Sequence, residues 1–314
     1  MRFKVKEGPS HLVGMKGHIM PDRSCTEKIC VEFFGRKDLA RLASSFDGLE
    51  HVSRSHLLIA FDYNRGIITI SDAGSTNGTE PQAIHLDRIG THQVLKLADT
   101  ITEAGNNDEI MVVILKSAGD RAFCAGASFD ELMAIKDENQ GKQFFSGFAN
   151  VINAARQCPK FIIGRVQGKA VGGGVGIASA IDYCFATKYA SIKLSELAIG
   201  IGPFVVGPAI ERKIGLSAFS HLTINTTEWH SAEWAKEKGL FAEVYETAKE
   251  MDVAILTLVE KLASSNPDSM RALKQVMWEG TDHWDSLLIK RAAMSGKFVL
   301  SDFTRATLTR LKQQ

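Results

Sequence analysis

The chain reads as an α/β protein with a helical C-terminal region and a β-rich N-terminal segment, and three observations predict this. Residues 110–115 (IMVVIL) and 161–166 (FIIGRV) have the length and unbroken apolarity of buried parallel strands. Each runs through a glycine-bearing turn into a helical pattern, so the chain repeats a strand, turn, helix unit. Upstream, short β-branched and aromatic runs alternate with polar joints, and from about residue 248 helical patterns follow one another with caps between them.

In order along the chain, residues 29–34, 57–63 and 66–71 are strand-like, the last two joined by Asn64-Arg65-Gly66 as a hairpin turn. After Ile89 the period changes. Val94, Leu97, Ala98 and Ile101 follow the i, i+3, i+4, i+7 spacing of a helix with one apolar face. Strand 110–115 then feeds FCAGASFDEL (residues 123–132), and strand 161–166 feeds QGKAVGGGVGIASAIDYC (residues 167–184), in which a helix runs through Ile177 and Ile181. Residues 227–239 read as a helix ended by Gly239, and residues 251–262 as another. Asn266-Pro267-Asp268 opens a third, with proline in the first turn, and residues 284–311 are helical.

Bulk properties exclude several classes. The 314 residues carry 37 Lys and Arg against 36 Asp and Glu, so no whole-protein field attracts nucleic acid or anionic lipid. No run of apolar residues is long enough to span a membrane, and the opening MRFKVKEGPS lacks the apolar core of a secretory signal, so a cytoplasmic location is expected. The five cysteines are odd in number and scattered, the reading being reduced thiols. Histidines and carboxylates show no familiar ligand spacing, so no metal is expected. The GxG fragments of GKAVGGGVG lack the acidic residue a dinucleotide site needs, and no cofactor is expected.

The pattern that carries chemistry is FCAGA (residues 123–127) with Gly172–Gly174 about fifty residues later. Small residues at two tight turns let backbone N–H groups approach one carbonyl oxygen, and the second turn opens a helix whose unpaired N–H groups favour developing negative charge. A lone GGG would be only a loop; the pairing points to an oxyanion hole. Glu196 lies in the apolar surround LSELAIGIGP, where desolvation would raise its pKa toward neutrality.

AFCAGASFDEL, RVQGKAVGGGVGIASAIDYCFAT, IKLSELAIGIGPFVVGPAIERKIG and SAEWAKEKGLFAEVY, in this order and spacing, resemble the crotonase (enoyl-CoA hydratase/isomerase) superfamily from about Ala98 onward, most closely its methylglutaconyl-CoA hydratase-like bacterial members. The resemblance implies a crotonase-like ββα spiral fold over residues 91–314, with helices from about residue 248 covering the active site or a neighbouring subunit. It implies Ala127 and Gly173 as the two N–H donors, Ala125, Gly126, Ser128, Gly172 and Gly174 around the CoA thioester, and Glu196 as catalytic carboxylate. Two-carboxylate hydratases carry a second glutamate where this chain has Gly176, so Glu196 would act alone. The implied reaction is hydration of an α,β-unsaturated acyl-CoA, of methylglutaconyl-CoA or enoyl-CoA type, with isomerases and decarboxylases also among single-acid members. Coenzyme A enters as part of the substrate, and a homotrimer or hexamer is implied. Asp182 is read as a structural hydrogen-bonding residue and Asp130 as an exposed cap or pocket rim.

Upstream, Gly35-Arg36, Ser53-Arg54-Ser55-His56 and Gly74–Thr79 (GSTNGT) resemble the hallmark positions of a forkhead-associated (FHA) domain, a β-sandwich that binds phosphothreonine. That resemblance implies residues 1–90 as an FHA-like segment that shares strands with the next domain, with Arg36, Ser53, Arg54 and Asn77 around the phosphate and His56 in a packing role. Arginine forks and hydroxyl or amide donors suit a phosphate. Residues 93–101 (QVLKLADTI) echo the last strand of such a sandwich yet have a helical period, and residues 57–71 fit the first hairpin of either fold. The overlay suggests a natural fusion or an engineered chimera. Two functions follow: an acyl-CoA hydratase, or a phosphothreonine-peptide module on a weak or inactive crotonase scaffold.

Overall fold

A computed structural model of the chain describes residues 30–34, 56–62, 67–73, 91–108, 110–117 and 122–313. In the larger of two sheets, β1 (Cys30–Phe34), β2 (His56–Asp62), β3 (Ile67–Ala73), β4 (Val112–Ser117), β6 (Phe161–Val166), β8 (Tyr183–Thr187) and β11 (Glu243–Tyr245) lie side by side in that order. All neighbours are parallel except the β2–β3 pair. The smaller sheet runs β10 (His230–Ser231), β9 (Ser191–Lys193), β7 (Lys169–Val171), β5 (Ala122–Cys124).

The expected pair of strands within residues 57–71 therefore extends the sheet of the downstream domain, β3 pairing with β4 from Ile67↔Val112 to Asp72↔Ser117. Residues 93–101 are helical, inside α1 (Thr91–Asn106), because Val94, Leu97, Ala98 and Ile101 bury one face. That excludes their use as a closing strand of a sandwich. The described residues do not form an FHA-like sandwich, and Arg36, Ser53, Arg54, Asn77 and the turn Asn64-Arg65-Gly66 lie outside them.

Every residue of β4 and β6 is buried because the sheet is covered on both faces. Val113, Leu115, Ile162 and Val166 face the main core, while Val112, Ile114 and Ile163 pack with Met251, Ile255 and Val259 of α7 (Ala248–Ala263). This explains why IMVVIL is continuous rather than alternating. α3 (Glu138–Gln157), capped by Asp137 accepting the Gln140 N–H, is clasped between α1 and α9 (Trp284–Phe298). Glycines permit both crossings: a Cβ at Gly141 would fall 2.6 Å from Gly296 Cα, and one at Gly147 would fall 2.3 Å from Val94 Cγ2.

Several boundaries differ from expectation. The helix read over residues 227–239 is only α6 (Ala232–Glu237), because His230 pairs with Ile192 in the sheet and Ser231 caps the helix, accepting the Trp234 N–H. Gly239, at φ +86°, does end it. The single helix read over residues 284–311 is two, α9 and α10 (Asp302–Lys312), since Ser301 interrupts and caps the second by accepting the Thr304 N–H. The helix through Ile177 is α4 (Gly173–Ala180) and stops one residue short of Ile181. α8 (Pro267–Met277) starts as read, with an Asn266 cap, whereas α7 starts three residues before the expected Met251 because Thr247 and Glu250 form a capping box.

Asp182 is structural, as read. Its Oδ2 accepts the Ile162 N–H at 2.8 Å and faces Lys274 Nζ at 2.8 Å, while Oδ1 accepts the Trp278 indole N–H at 3.1 Å. Both charged side chains are about fully buried (3% and 2% exposed), so each offsets part of the other's desolvation, and Lys274 also donates to the Lys160 carbonyl. It locks α8 to the start of β6 and the end of α4. Cys124, Cys158 and Cys184 are buried.

Candidate active site

β5 and β7 are parallel neighbours, and the turns that leave them lie against one another. Gly126 adopts φ +85°, and a Cβ there would fall 2.8 Å from the Val171 carbonyl oxygen and 3.8 Å from the Gly173 nitrogen. Only glycine lets the two turns meet this closely. Gly172, at φ +54° and ψ −115°, donates its N–H to the Lys193 carbonyl at 2.9 Å and precedes the first turn of α4. Gly173 is the first residue of that helix, where helical geometry supplies no intrahelical acceptor for its N–H.

Glu196 reaches the same place from β9. A short 3-10 turn, Leu197–Ile199, begins after it, with the Ile199 and Ile201 N–H groups donating to its carbonyl at 3.2 and 2.9 Å. The Thr226 hydroxyl donates to the Leu194 carbonyl and fixes the approach. Gly200, at φ +84°, closes the turn, and a Cβ there would strike Phe303 of α10 at 2.5 Å. α10 thus packs on the turn that follows Glu196; it is further held by Arg305 donating to the Ile135 carbonyl and by an exposed Lys312–Asp130 pair.

The Glu196 carboxyl lies over Gly172, whose Cβ, if present, would be 3.0 Å from Oε1 and 3.5 Å from Oε2. Oε2 is shut off from solvent and has no hydrogen-bond partner among the described residues. Burial pushes the carboxyl up from its ordinary 4.5 to about 7, against a smaller opposing effect of a hydrogen bond from its own backbone. Near neutral pH both protonation states are populated, the condition for taking and returning a proton.

Around these groups is a cleft partly open to solvent, of about 560 Å³ when the open solvent at its mouth is counted. Phe129, Leu132, Phe145, Phe148, Phe204 and Val206 make it predominantly apolar, with Ser195 and Ser295 as hydroxyl-bearing side chains in its lining. Of the residues read from sequence, Ala125, Gly126, Ala127, Gly172, Gly173 and Glu196 all line it. Ser128 and Gly174 lie outside the lining. Ser128 caps α2 (Phe129–Ala134) by accepting the Glu131 N–H, and Gly174 packs under the first turn, where a Cβ would meet the Cys124 carbonyl oxygen at 2.3 Å. Asp130 is exposed in the first turn of α2.

Sequence reasoning missed Val206. A Cβ at Gly176 would fall 2.4 Å from Val206 Cγ1 and 2.5 Å from Val206 Cβ. The space beside Gly176, where the resemblance implied the second glutamate of two-carboxylate hydratases, is therefore occupied by hydrocarbon. The bare Gly176 was a signal that some neighbour must fill the space, but its spacing does not say which. Ser295 was also missed; the Gly141–Gly296 crossing that seats it joins segments over a hundred residues apart.

The enoyl-CoA hydratase/isomerase family profile matches residues 89–300. A peroxisomal Δ(3,5)-Δ(2,4)-dienoyl-CoA isomerase of Arabidopsis thaliana is 26% identical over 208 residues, 62% of this chain and 73% of that protein. A short-chain-enoyl-CoA hydratase of Clostridium acetobutylicum is 29% identical over 196 residues, 62% and 74% of the two chains. The mitochondrial methylglutaconyl-CoA hydratase of Mus musculus is 29% identical over 194 residues, 60% of this chain and 61% of its own length. The fold is shared with the crystal structure of an enoyl-CoA hydratase from Bacillus halodurans, at TM-score 0.69 and 17% identity over 78% of this chain and 96% of that one. With the family profile covering over two thirds of its length, the chain belongs to the enoyl-CoA hydratase/isomerase family.

Proposed function

We propose that the protein moves a proton along the acyl chain of a CoA thioester, shifting a double bond, with Glu196 as sole acid/base and the backbone N–H groups of Ala127 and Gly173 holding the thioester oxygen. The observation that carries this reading is Val206 against Gly176. With hydrocarbon there, one carboxyl must both remove and return the proton. From a 3-enoyl thioester, the carboxylate takes a proton from C2, and the C–H electron pair moves into a dienolate whose oxygen the two N–H groups stabilise. The carboxyl then returns the proton at C4 as the C2–C3 double bond forms, so atoms and charge balance. A carboxyl poised near pH 7 serves both halves.

Hydration of an α,β-unsaturated thioester, of enoyl-CoA or methylglutaconyl-CoA type, is the second reading. It is favoured by the place of Glu196 on the lining of the open cleft, from which its carboxyl can hold an attacking water. The phosphothreonine-binding reading gains no support from the family match, which begins at residue 89.

The test is to offer 3-enoyl-CoA, 2-enoyl-CoA and 3-methylglutaconyl-CoA to the purified full chain and follow products by chromatography. Conversion of the 3-enoyl to the 2-enoyl thioester without hydroxyacyl product supports isomerisation. Hydroxyacyl product from either 2-unsaturated thioester supports the second reading and overturns the first.

A further inference from the structure

Three donor side chains outside the acyl-CoA cleft meet where α5 (Gly207–Ile224) runs through its following loop into β10, Glu228 also accepting the Asn225 side-chain amide. They are His221 in the last turn of α5, Glu228 in the loop, and His230 in β10. One ligand-capable atom from each lies within 4.8 Å of the others. His221 Nε2 is 3.9 Å from Glu228 Oε2, and the two imidazole rings stand edge to face with centroids 5.0 Å apart. We propose that His221, Glu228 and His230 form a binding site for a divalent transition metal of the zinc class.

His230 supplies the second, independent observation. Its side chain is 5% exposed, packed on Trp234 at a ring separation of 4.4 Å, yet its Nε2 is sealed from solvent with no hydrogen-bond partner among the described residues. A buried polar nitrogen left without a partner has lost its hydrogen bond to water with no return unless a bound group satisfies it. His221 and Glu228 are half-exposed, so they can close the remaining distance and leave an open position for water. The loop itself is anchored, Thr226 donating to the Leu194 carbonyl, and His230 is fixed by pairing with Ile192. One ligand is therefore rigid and two are adjustable.

The donor set decides the metal class. Two imidazoles and one carboxylate favour Zn²⁺ and its first-row neighbours over Mg²⁺ or Ca²⁺, which take oxygen ligands. Such an ion would tie the C-terminal end of α5 to the edge of the smaller sheet. The spacing, six residues between His221 and Glu228 and one between Glu228 and His230, matches no familiar metal motif, which is why the sequence did not show it.

The test is calorimetric titration of the tag-free, EDTA-stripped full chain with ZnCl₂, repeated on His221→Ala and Glu228→Gln. Both replace half-exposed side chains and leave the buried His230 in place; circular dichroism confirms that each is folded. One Zn²⁺ per chain, weakened at least about tenfold in each variant, with a Zn²⁺-dependent rise in wild-type Tm that both variants lose, is the expected result. Binding of CoCl₂ with visible bands typical of low coordination supports the same geometry. No stoichiometric binding by the wild type, or binding that both variants retain unchanged, overturns the proposal.

Discussion

The Glu196 carboxyl ties stability to pH in a direction that a surface glutamate would not. Its pKa is raised from 4.5 to about 7 because the folded chain removes it from water. The folded state therefore favours the protonated form. Below about pH 4.5 the group is protonated in both states and folding costs nothing extra. Between 4.5 and 7 the unfolded chain ionises first and stability falls; above 7 the loss is complete. A shift of this size corresponds to about 3 kcal/mol at most, from roughly 1.4 kcal/mol for each pH unit. Glu196→Gln keeps the shape and cannot ionise. The difference in unfolding free energy between the variant and the wild type should move in the variant's favour by about 2–3 kcal/mol from pH 5 to pH 8. Urea unfolding at both pH values, with equal m, measures it; other titrating groups are common to both proteins and cancel. A difference that stays flat within about 0.5 kcal/mol would mean the carboxyl is solvated, and the acid/base argument built on its burial would fall.

Two further predictions concern the glycines of the site. Gly176→Ala should destabilise the protein by about 1–3 kcal/mol through overpacking against Val206, and Val206→Ala should relieve part of it. The double variant is then expected to be at least about 1 kcal/mol more stable than the sum of the single changes; additivity in urea melts would contradict the contact. Gly172→Ala places a methyl 3.0 Å from Glu196 Oε1 at φ +54°, and kcat should fall about a hundredfold with KM little changed, since the thioester pocket is intact. A large rise in KM with kcat preserved would move Gly172 from catalysis to binding.

How much of this was legible in the sequence depends on whether the information was local. The two buried strands, the cap at Asn266, the stop at Gly239 and the helical period of Val94, Leu97, Ala98 and Ile101 are signals carried by neighbouring residues, and each is in the structure. Glu196 and the glycine turns were readable because apolar surroundings and small residues restrict what a segment can do. Residues 227–231 misled because a helical pattern says nothing of His230 pairing with Ile192, almost forty residues away. Val206 and the His221–Glu228–His230 cluster were invisible for the same reason. Their meaning lies in what the fold sets beside them. The overlap of two family patterns near residues 57–71 resolves in favour of the larger sheet, where β3 joins β4, since backbone hydrogen bonding across that pair leaves β3 no freedom to serve elsewhere.

The central claim, that Glu196 moves a proton on an enolate held at the two backbone turns, is tested most directly by exchange. The wild type and Glu196→Gln would each be incubated with a 3-enoyl-CoA in D₂O near pH 7.5, and deuterium in substrate and product followed by mass spectrometry and NMR. Deuterium at C2 and C4 with the wild type, reduced at least about a thousandfold in the variant, is the predicted result. Equal exchange by both proteins, or neither exchange nor conversion of the 3-enoyl thioester by the wild type at any concentration that saturates thioester binding, would contradict the account.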